Sequence, residues 1–115
     1  MTDNCLFCKI AKGEIPSQKV YEDETVFAFR DINPQAPVHI VIIPKKHIKD
    51  LNSLSEGDEL IVGLIQAAAA KIALQFSEMK SGYRVVNNCG ADAGQTVFHI
   101  HYHLLGGRSF CWPPG

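Results

Sequence analysis

Val97-Phe98-His99-Ile100-His101-Tyr102-His103-Leu104-Leu105 is a short apolar run with histidine at every second position from 99 to 103. β-Branched and aromatic residues at a period of two predict a strand, and along a strand residues i, i+2 and i+4 share one face. His99, His101 and His103 are therefore expected in a row, with neighbouring imidazoles about 6.7 Å apart at the usual rise. Phe98, Ile100, Tyr102 and Leu104 take the opposite face. One face packs; the other titrates. That spacing disfavours a single ion bonded to all three rings, because Zn–N bonds are only about 2.0–2.1 Å long. The row reads better as a catalytic strip whose histidines hold separate tasks.

Immediately upstream, Asn88-Cys89-Gly90-Ala91-Asp92-Ala93-Gly94-Gln95-Thr96 is rich in small residues, with amide and hydroxyl donors. Loops of this kind bring backbone N–H groups close to an anion. This one delivers Gln95 and Thr96 beside the histidines, so a phosphate held here meets imidazoles at once. Imidazole is an acid and base near neutral pH and also a nucleophile. An attacking ring needs one neutral nitrogen, which is secured when the other nitrogen donates to a fixed acceptor such as a backbone carbonyl. A fourth imidazole, His39 in Val38-His39-Ile40-Val41, is expected on an adjacent strand, where it can orient the row or relay protons to it.

The rest of the chain supplies a scaffold. Asn4 is placed to cap a short helix through Leu6, Phe7, Ile10 and Ala11 that stops at Gly13. Lys19 to Glu22 and Thr25 to Arg30 read as a hairpin, Asp31 to Pro37 as a loop, and Val38 to Ile43 as a strand ended by Pro44. Ser55 and Asp58 form a capping-box signature before the one long helix, in which Leu60, Ile61, Leu64, Ile65, Ala68, Ile72 and Phe76 recur at helical spacing. Tyr83 to Asn87 is the next strand, and the histidine strand follows. Consecutive strands with short connections and one long helix predict an α+β fold with a mainly antiparallel sheet.

With 115 residues, residues 1–115 are expected to form a single domain with one core. A formal net charge of −1 and the lack of a basic run argue against a nucleic acid polymer as partner. The N-terminus has no apolar core of a signal peptide, and no stretch is long enough to span a bilayer. Four cysteines fit a reducing compartment, so a cytoplasmic protein without membrane association is expected. Cys5-x-x-Cys8 alone is a weak metal signal; His47 and His99 complete a Cys2His2 set only if the fold gathers them.

His99-Ile100-His101-Tyr102-His103-Leu104-Leu105 resembles the His-x-His-x-His-x-x signature of the histidine-triad (HIT) superfamily of nucleotide hydrolases and transferases. Glu14-Ile15-Pro16, Phe29-Arg30-Asp31-Ile32, Ile43-Pro44-Lys45-Lys46-His47, Gly94-Gln95, Leu105-Gly106-Gly107-Arg108 and Trp112-Pro113-Pro114-Gly115 extend the likeness across the chain. They are similar to the branch of purine nucleoside phosphoramidases. The resemblance implies a five-stranded antiparallel sheet with one long helix and a short N-terminal helix, and a homodimer whose sheets join into a continuous ten-stranded sheet. It implies that His101 attacks the α-phosphorus of a purine nucleoside phosphoramidate (an AMP or GMP conjugate) to give a nucleotidyl-histidine that water cleaves. His99 would present its carbonyl to His101 and its ring to His39; His103, Asn88, Gln95 and Thr96, with Gly94 in the loop, would meet the phosphate. Asp31 would bind ribose hydroxyls, and Phe7, Ile10, Phe29, Ile32 and Val41 would enclose the purine. The tail, residues 108–115, would reach the partner subunit, where Trp112 shapes leaving-group recognition.

Catalysis in this branch implies no cofactor. The CxxC pair is absent from many phosphoramidases of this branch but present in other histidine-triad proteins, where it binds zinc with counterparts of His47 and His99; a zinc bound here through Cys5, Cys8, His47 and His99 would be structural. Two rival readings remain at this stage: a nucleotide-binding regulatory protein with incidental hydrolysis, and a zinc-binding HIT protein acting on dinucleoside polyphosphates.

Overall fold

The computed structural model describes residues 4–115. Five strands, β1 (Lys19–Glu22), β2 (Val26–Arg30), β3 (Val38–Pro44), β4 (Tyr83–Asn87) and β5 (Tyr102–Gly106), form one sheet in the order β1-β2-β3-β5-β4. Every neighbouring pair is antiparallel. A short helix α1 (Leu6–Ala11) and a long helix α2 (Asp58–Ala73) complete the expected set.

Side-chain alternation divides the sheet between its two faces. Val26, Ala28, Ile40, Ile42, Tyr102 and Leu104 pack with Ile65, Ala68, Ala69 and Ile72 of α2. The other residues of the same strands, Phe27, Phe29, Val41 and Ile43, pack with Phe7, Cys8 and Ile10 of α1. Because α1 is short, it covers only part of that second face. His39 and His103 belong to the parity of Val41, so the period of two puts them on the partly covered side.

Three details differ from the sequence-based expectations. Cys5, not Asn4, caps α1: its Sγ accepts from Cys8 N–H at 3.4 Å. The capping box before α2 is one-sided, with Asp58 accepting from the Ser55 amide at 2.9 Å and from its hydroxyl at 2.8 Å. Gly57, at φ 91, stands at the N-cap instead. Within α2 the buried stripe is Ile65, Ala68, Ala69, Ile72 and Ala73, whereas Leu60 and Leu64 are 69% and 40% exposed. The stripe of Ile65, Ala68 and Ile72 meets the sheet, and helical phase leaves Leu60 and Leu64 on its flank.

The histidine strand is also shorter than its pattern predicts. The ladder to β3 ends at Tyr102, opposite Ile42, and the ladder to β4 ends at the same residue, opposite Asn87. Continuing it would bring Ile100 to Pro44, which has no N–H to give. Ile100 N–H donates instead to the Ile48 carbonyl at 2.6 Å, and the Asn87 side chain donates to the His101 carbonyl at 2.9 Å. Residues 97–101 thus leave the sheet with their backbone still anchored, and the histidine row is bent.

Candidate active site

Bending separates the three histidines. His99 is fully buried, and its Nε2 lies 2.8 Å from the Pro44 carbonyl, so Nε2 carries the proton and Nδ1 is bare. That Nδ1 stands 3.3 Å from Cys5 Sγ, 3.4 Å from Cys8 Sγ and 3.2 Å from His47 Nδ1. Cys8 Sγ is 3.4 Å from His47 Nδ1. The expectation that the His99 ring faces His39 is therefore not met; it turns under α1 into a cysteine and histidine cluster.

These four donors can hold a metal ion: their ligand atoms all lie within 4.8 Å of one another. Two thiols and two imidazoles match the donor set of a closed structural zinc site, and the carbonyl behind His99 is the outer partner such a ligand needs. Burial pushes the Cys8 thiol up to about 11, with Cys5 adding to the shift, and pushes His99 down to about 4. A divalent cation would reverse the first, because coordinated thiols bind as thiolates.

His101 faces the other way. Its Nδ1 is 2.8 Å from the His99 carbonyl, which places the proton on Nδ1 and leaves Nε2 with a free lone pair. Burial lowers its pKa, against the opposing pull of that carbonyl and of Asp31, so the neutral ring is favoured. The Phe7 ring packs edge-on against it at 5.0 Å.

His103 and His39 form a pair, with His39 Nε2 at 2.8 Å from His103 Nδ1. Gln35 N–H donates to His39 Nδ1 at 3.0 Å, so His39 carries its proton on Nε2 and points it at His103. His103 accepts on Nδ1, which leaves its own proton on Nε2. Burial pushes His103 down to about 4, with His101 and His39 adding to the effect; burial lowers His39 too, against Asp31. Asp31 Oδ2 stands 3.4 Å from His39 Nε2, while its Oδ1 accepts from Asn33 N–H at 2.8 Å. Asp31, His39 and His103 also lie close enough to surround an ion. The Gln35 donor argues against one, since a metal on Nε2 would require His39 to lose its only ring proton.

A cleft of about 830 Å³ opens between α1 and the sheet, and both His101 and His103 line it. Phe7, Ile10, Phe29, Asp31, Ile32, Val41 and Thr96 share its wall. The edge-to-face pair of Phe7 and Phe29, 5.6 Å apart, makes one side apolar and aromatic, while Ile32 is fully exposed at the rim. One end of the cleft is thus apolar, and the other holds imidazoles and a carboxylate.

Not every expected contact faces the cleft. Gln95 is buried, its Oε1 accepting from Gly90 N–H at 2.9 Å and its Nε2 donating to the carbonyls of Lys49 and Val97 at 3.0 and 3.1 Å. Its amide shapes the loop rather than projecting from it. Gly94, at φ 87, supplies the left-handed turn into Gln95. Asn88 is half-buried at the end of β4, outside the cleft wall. Trp112 is 83% exposed on the tail and lies away from the cleft of its own chain. Three supports escaped the sequence reading: the carbonyl of Pro44, the amide of Gln35 and the side chain of Asn87. Two are main-chain groups and carry no residue-type signal.

Comparison with known proteins places the chain in a family. The chain is 49% identical over 108 residues to the purine nucleoside phosphoramidase of Escherichia coli strain K12, covering 94% of this chain and 91% of that protein. It is 54% identical over 113 residues to the 14 kDa zinc-binding protein of Zea mays, covering 96% and 87%. A crystal structure of a HIT family hydrolase from Legionella pneumophila Philadelphia 1 superposes with a TM-score of 0.93 at 53% identity, covering 97% of this chain and all of that one. The HIT domain profile matches residues 12–110, and the chain belongs to the HIT domain family.

Proposed function

We propose that this protein is a hydrolase that cleaves the P–N bond of purine nucleoside 5′-phosphoramidates, with AMP or GMP as the nucleotide part. The observation that carries the reading is the 2.8 Å contact of His101 Nδ1 with the His99 carbonyl, which leaves Nε2 unprotonated at the cleft. In the reaction, that nitrogen attacks the α-phosphorus and the P–N bond breaks. The departing nitrogen takes a proton from solvent and leaves as the amine; water then adds to phosphorus, gives up a proton to solvent and displaces neutral His101, releasing the nucleoside monophosphate. The remaining Nε2–H of His103 suits a phosphoryl oxygen, and Thr96 offers a hydroxyl on the same wall. The Gly94–Gln95 turn would serve the phosphate indirectly, by setting the loop that carries Thr96 into the cleft wall. The apolar end, Phe7, Ile10, Phe29, Ile32 and Val41, suits a purine, with Asp31 placed for ribose hydroxyls. The phosphoramidase from Escherichia coli supports this choice of substrate among HIT chemistries.

The Cys5, Cys8, His47 and His99 set is read as a structural zinc site, since four protein donors leave no open position for substrate. No step of the reaction is assigned to the metal. The zinc-binding relative from maize supports that choice of ion.

The active form is read as a homodimer, with β4 as the joining edge. β4 is a terminal strand of the sheet, and the outward leucines Leu60 and Leu64 of α2 leave an apolar stripe in the single chain. All four cysteines are unpaired, in keeping with a cytoplasmic location. Among the described residues no helix is long and apolar enough to cross a membrane.

Rapid quench of the protein with a purine phosphoramidate, followed by intact mass measurement, tests the reading. The expected result is a species heavier by one nucleotidyl group in the wild type and none in His101→Ala. Turnover by folded His101→Ala would overturn it.

A further inference from the structure

The hydrogen bonds that fix the His39–His103 pair continue out of the cleft to the end of the chain. Gln35, whose N–H holds His39 Nδ1, lies in a loop outside every ladder of the sheet. Its carbonyl accepts from Arg108 through Nε at 3.2 Å and Nη2 at 3.0 Å, and has no other donor among the described residues. Arg108 is itself held: Nη1 donates to the Ser109 carbonyl at 3.0 Å, and the guanidinium lies 4.3 Å from the centre of the Phe110 ring. Arg84 lies 5.1 Å from the same ring and donates to the Cys111 carbonyl at 3.0 Å.

The backbone before Arg108 is built for this approach. Gly107 has φ +93, and a side chain there would start 2.8 Å from Pro37 Cβ. β5 therefore leaves the sheet pressed against the loop that carries Gln35, and only glycine allows both the angle and the closeness. The plain reading of an exposed arginine is a surface contact worth little. Here the two nitrogens of a rigid fork meet one oxygen, and that peptide unit adjoins the amide that determines a histidine tautomer.

We infer that Arg108 is a positioning residue: by gripping the Gln35 carbonyl it holds the Gln35 N–H on His39 Nδ1 and keeps the His39 Nε2 proton aimed at His103. Without it the Gln35 main chain is held only from one side, through the Gln35 side chain on the Asn33 carbonyl at 3.0 Å, so the donor to His39 Nδ1 is less fixed and both neutral tautomers become accessible. A His39 protonated on Nδ1 presents a lone pair to His103, which must then reverse its own tautomer and turn a bare nitrogen toward the cleft. That this weakens phosphate contact rests on the proposed function; the hold on His39 does not.

The test is two-bond ¹H–¹⁵N correlation of the histidine rings in the full-length protein, with His39 assigned by its loss in His39→Asn. The wild type is expected to show a protonated Nε2 and an unprotonated, hydrogen-bonded Nδ1 at His39. Arg108→Ala is expected to move both nitrogens toward averaged tautomer values. Arg108→Lys, which keeps the charge and loses the fork, should move them the same way and serves if the alanine variant fails to fold. Identical His39 signals in a folded variant, or the opposite tautomer in the wild type, would overturn the inference. Turnover supplies the second measurement: kcat should fall by about tenfold with KM within about twofold, a fraction of the 10²–10⁴ that a positioned proton-transfer group supplies. Because the ring spectrum needs no substrate, it decides the matter whether or not the wild type cleaves a phosphoramidate.

Discussion

The Nδ1 of His101 rests 2.8 Å from the carbonyl of His99, while the ring of His99 turns away to Cys5 and Cys8. One residue therefore serves two sites in two directions, with its main chain at the cleft and its side chain in the sulfur cluster. The three histidines of the run are not equivalent, and substitutions should separate them.

His101→Ala should lose turnover on the order of 10⁴-fold or more, as expected when a covalent nucleophile is removed. His99→Ala keeps the carbonyl that orients His101, so it should retain a substantial part of kcat below its own melting temperature while losing metal and stability. Steady-state kinetics beside thermal melts distinguish the two. Equal loss of activity in both folded variants would mean that the ring of His99 acts in the chemistry.

Stability should fall in acid, and the direction follows from burial. His103 is pushed from 6.5 to about 4 in the fold, so between those values the unfolded chain binds the extra proton and the folded chain does not. Stability from this ring is therefore intact above about pH 6.5, declines as pH falls toward about 4, and is lowered by about 3 kcal/mol at the end of that window. His39 and His101 shift in the same sense. Urea unfolding from pH 7.5 to 4 should show the decline, and His103→Asn should make it shallower without abolishing it, because His39, His99 and His101 are lowered by burial too. A pH-independent unfolding free energy would contradict the neutral-imidazole description.

Much of this molecule is legible in its sequence because β-branched and aromatic runs bounded by turn residues are local signals. Val26 to Arg30 and Val38 to Pro44 alternate cleanly between the α2 face and the α1 face, and the helix spacing from Leu60 to Ile72 is equally plain. What the pattern misses depends on partners remote in the chain. It runs the histidine strand back to Val97, because it contains no sign that Pro44 would stand opposite Ile100 and end the ladder. It gives all three imidazoles one face for the same reason. Leu60 and Leu64 fit the helical period as well as Ile65 does, and only packing shows which stripe meets the sheet. The tautomers of His39 and His99 depend on main-chain groups of Gln35 and Pro44, which residue identity cannot encode.

Metal removal should affect the fold more than the chemistry. Purified without chelator, the protein is expected to carry about one zinc per chain, and Cys8→Ser should lower that content sharply. A strong chelator should depress the melting temperature, since a ligand bound only to the folded state stabilises it by mass action. Turnover measured well below the new melting temperature should persist. Complete loss of activity on chelation, restored by zinc, would instead assign the metal a part in the reaction.

Trp112 is 83% exposed, yet Arg84 and Arg108 brace Phe110 just before it, so the tail leaves the body of the protein in a defined direction. An exposed tryptophan on a braced segment is free to meet a neighbouring surface. In the proposed dimer that surface is the partner's cleft. Deleting residues 111–115 should leave thermal stability nearly unchanged, because only a surface contact from Arg84 is lost. The ratio of kcat/KM between a small amine and a bulky aromatic amine as leaving group should change by about tenfold, or 1.4 kcal/mol. Sedimentation of the same variant should still give a dimer if β4 and α2 form the interface. An unchanged leaving-group ratio in a dimeric variant would remove Trp112 from substrate recognition.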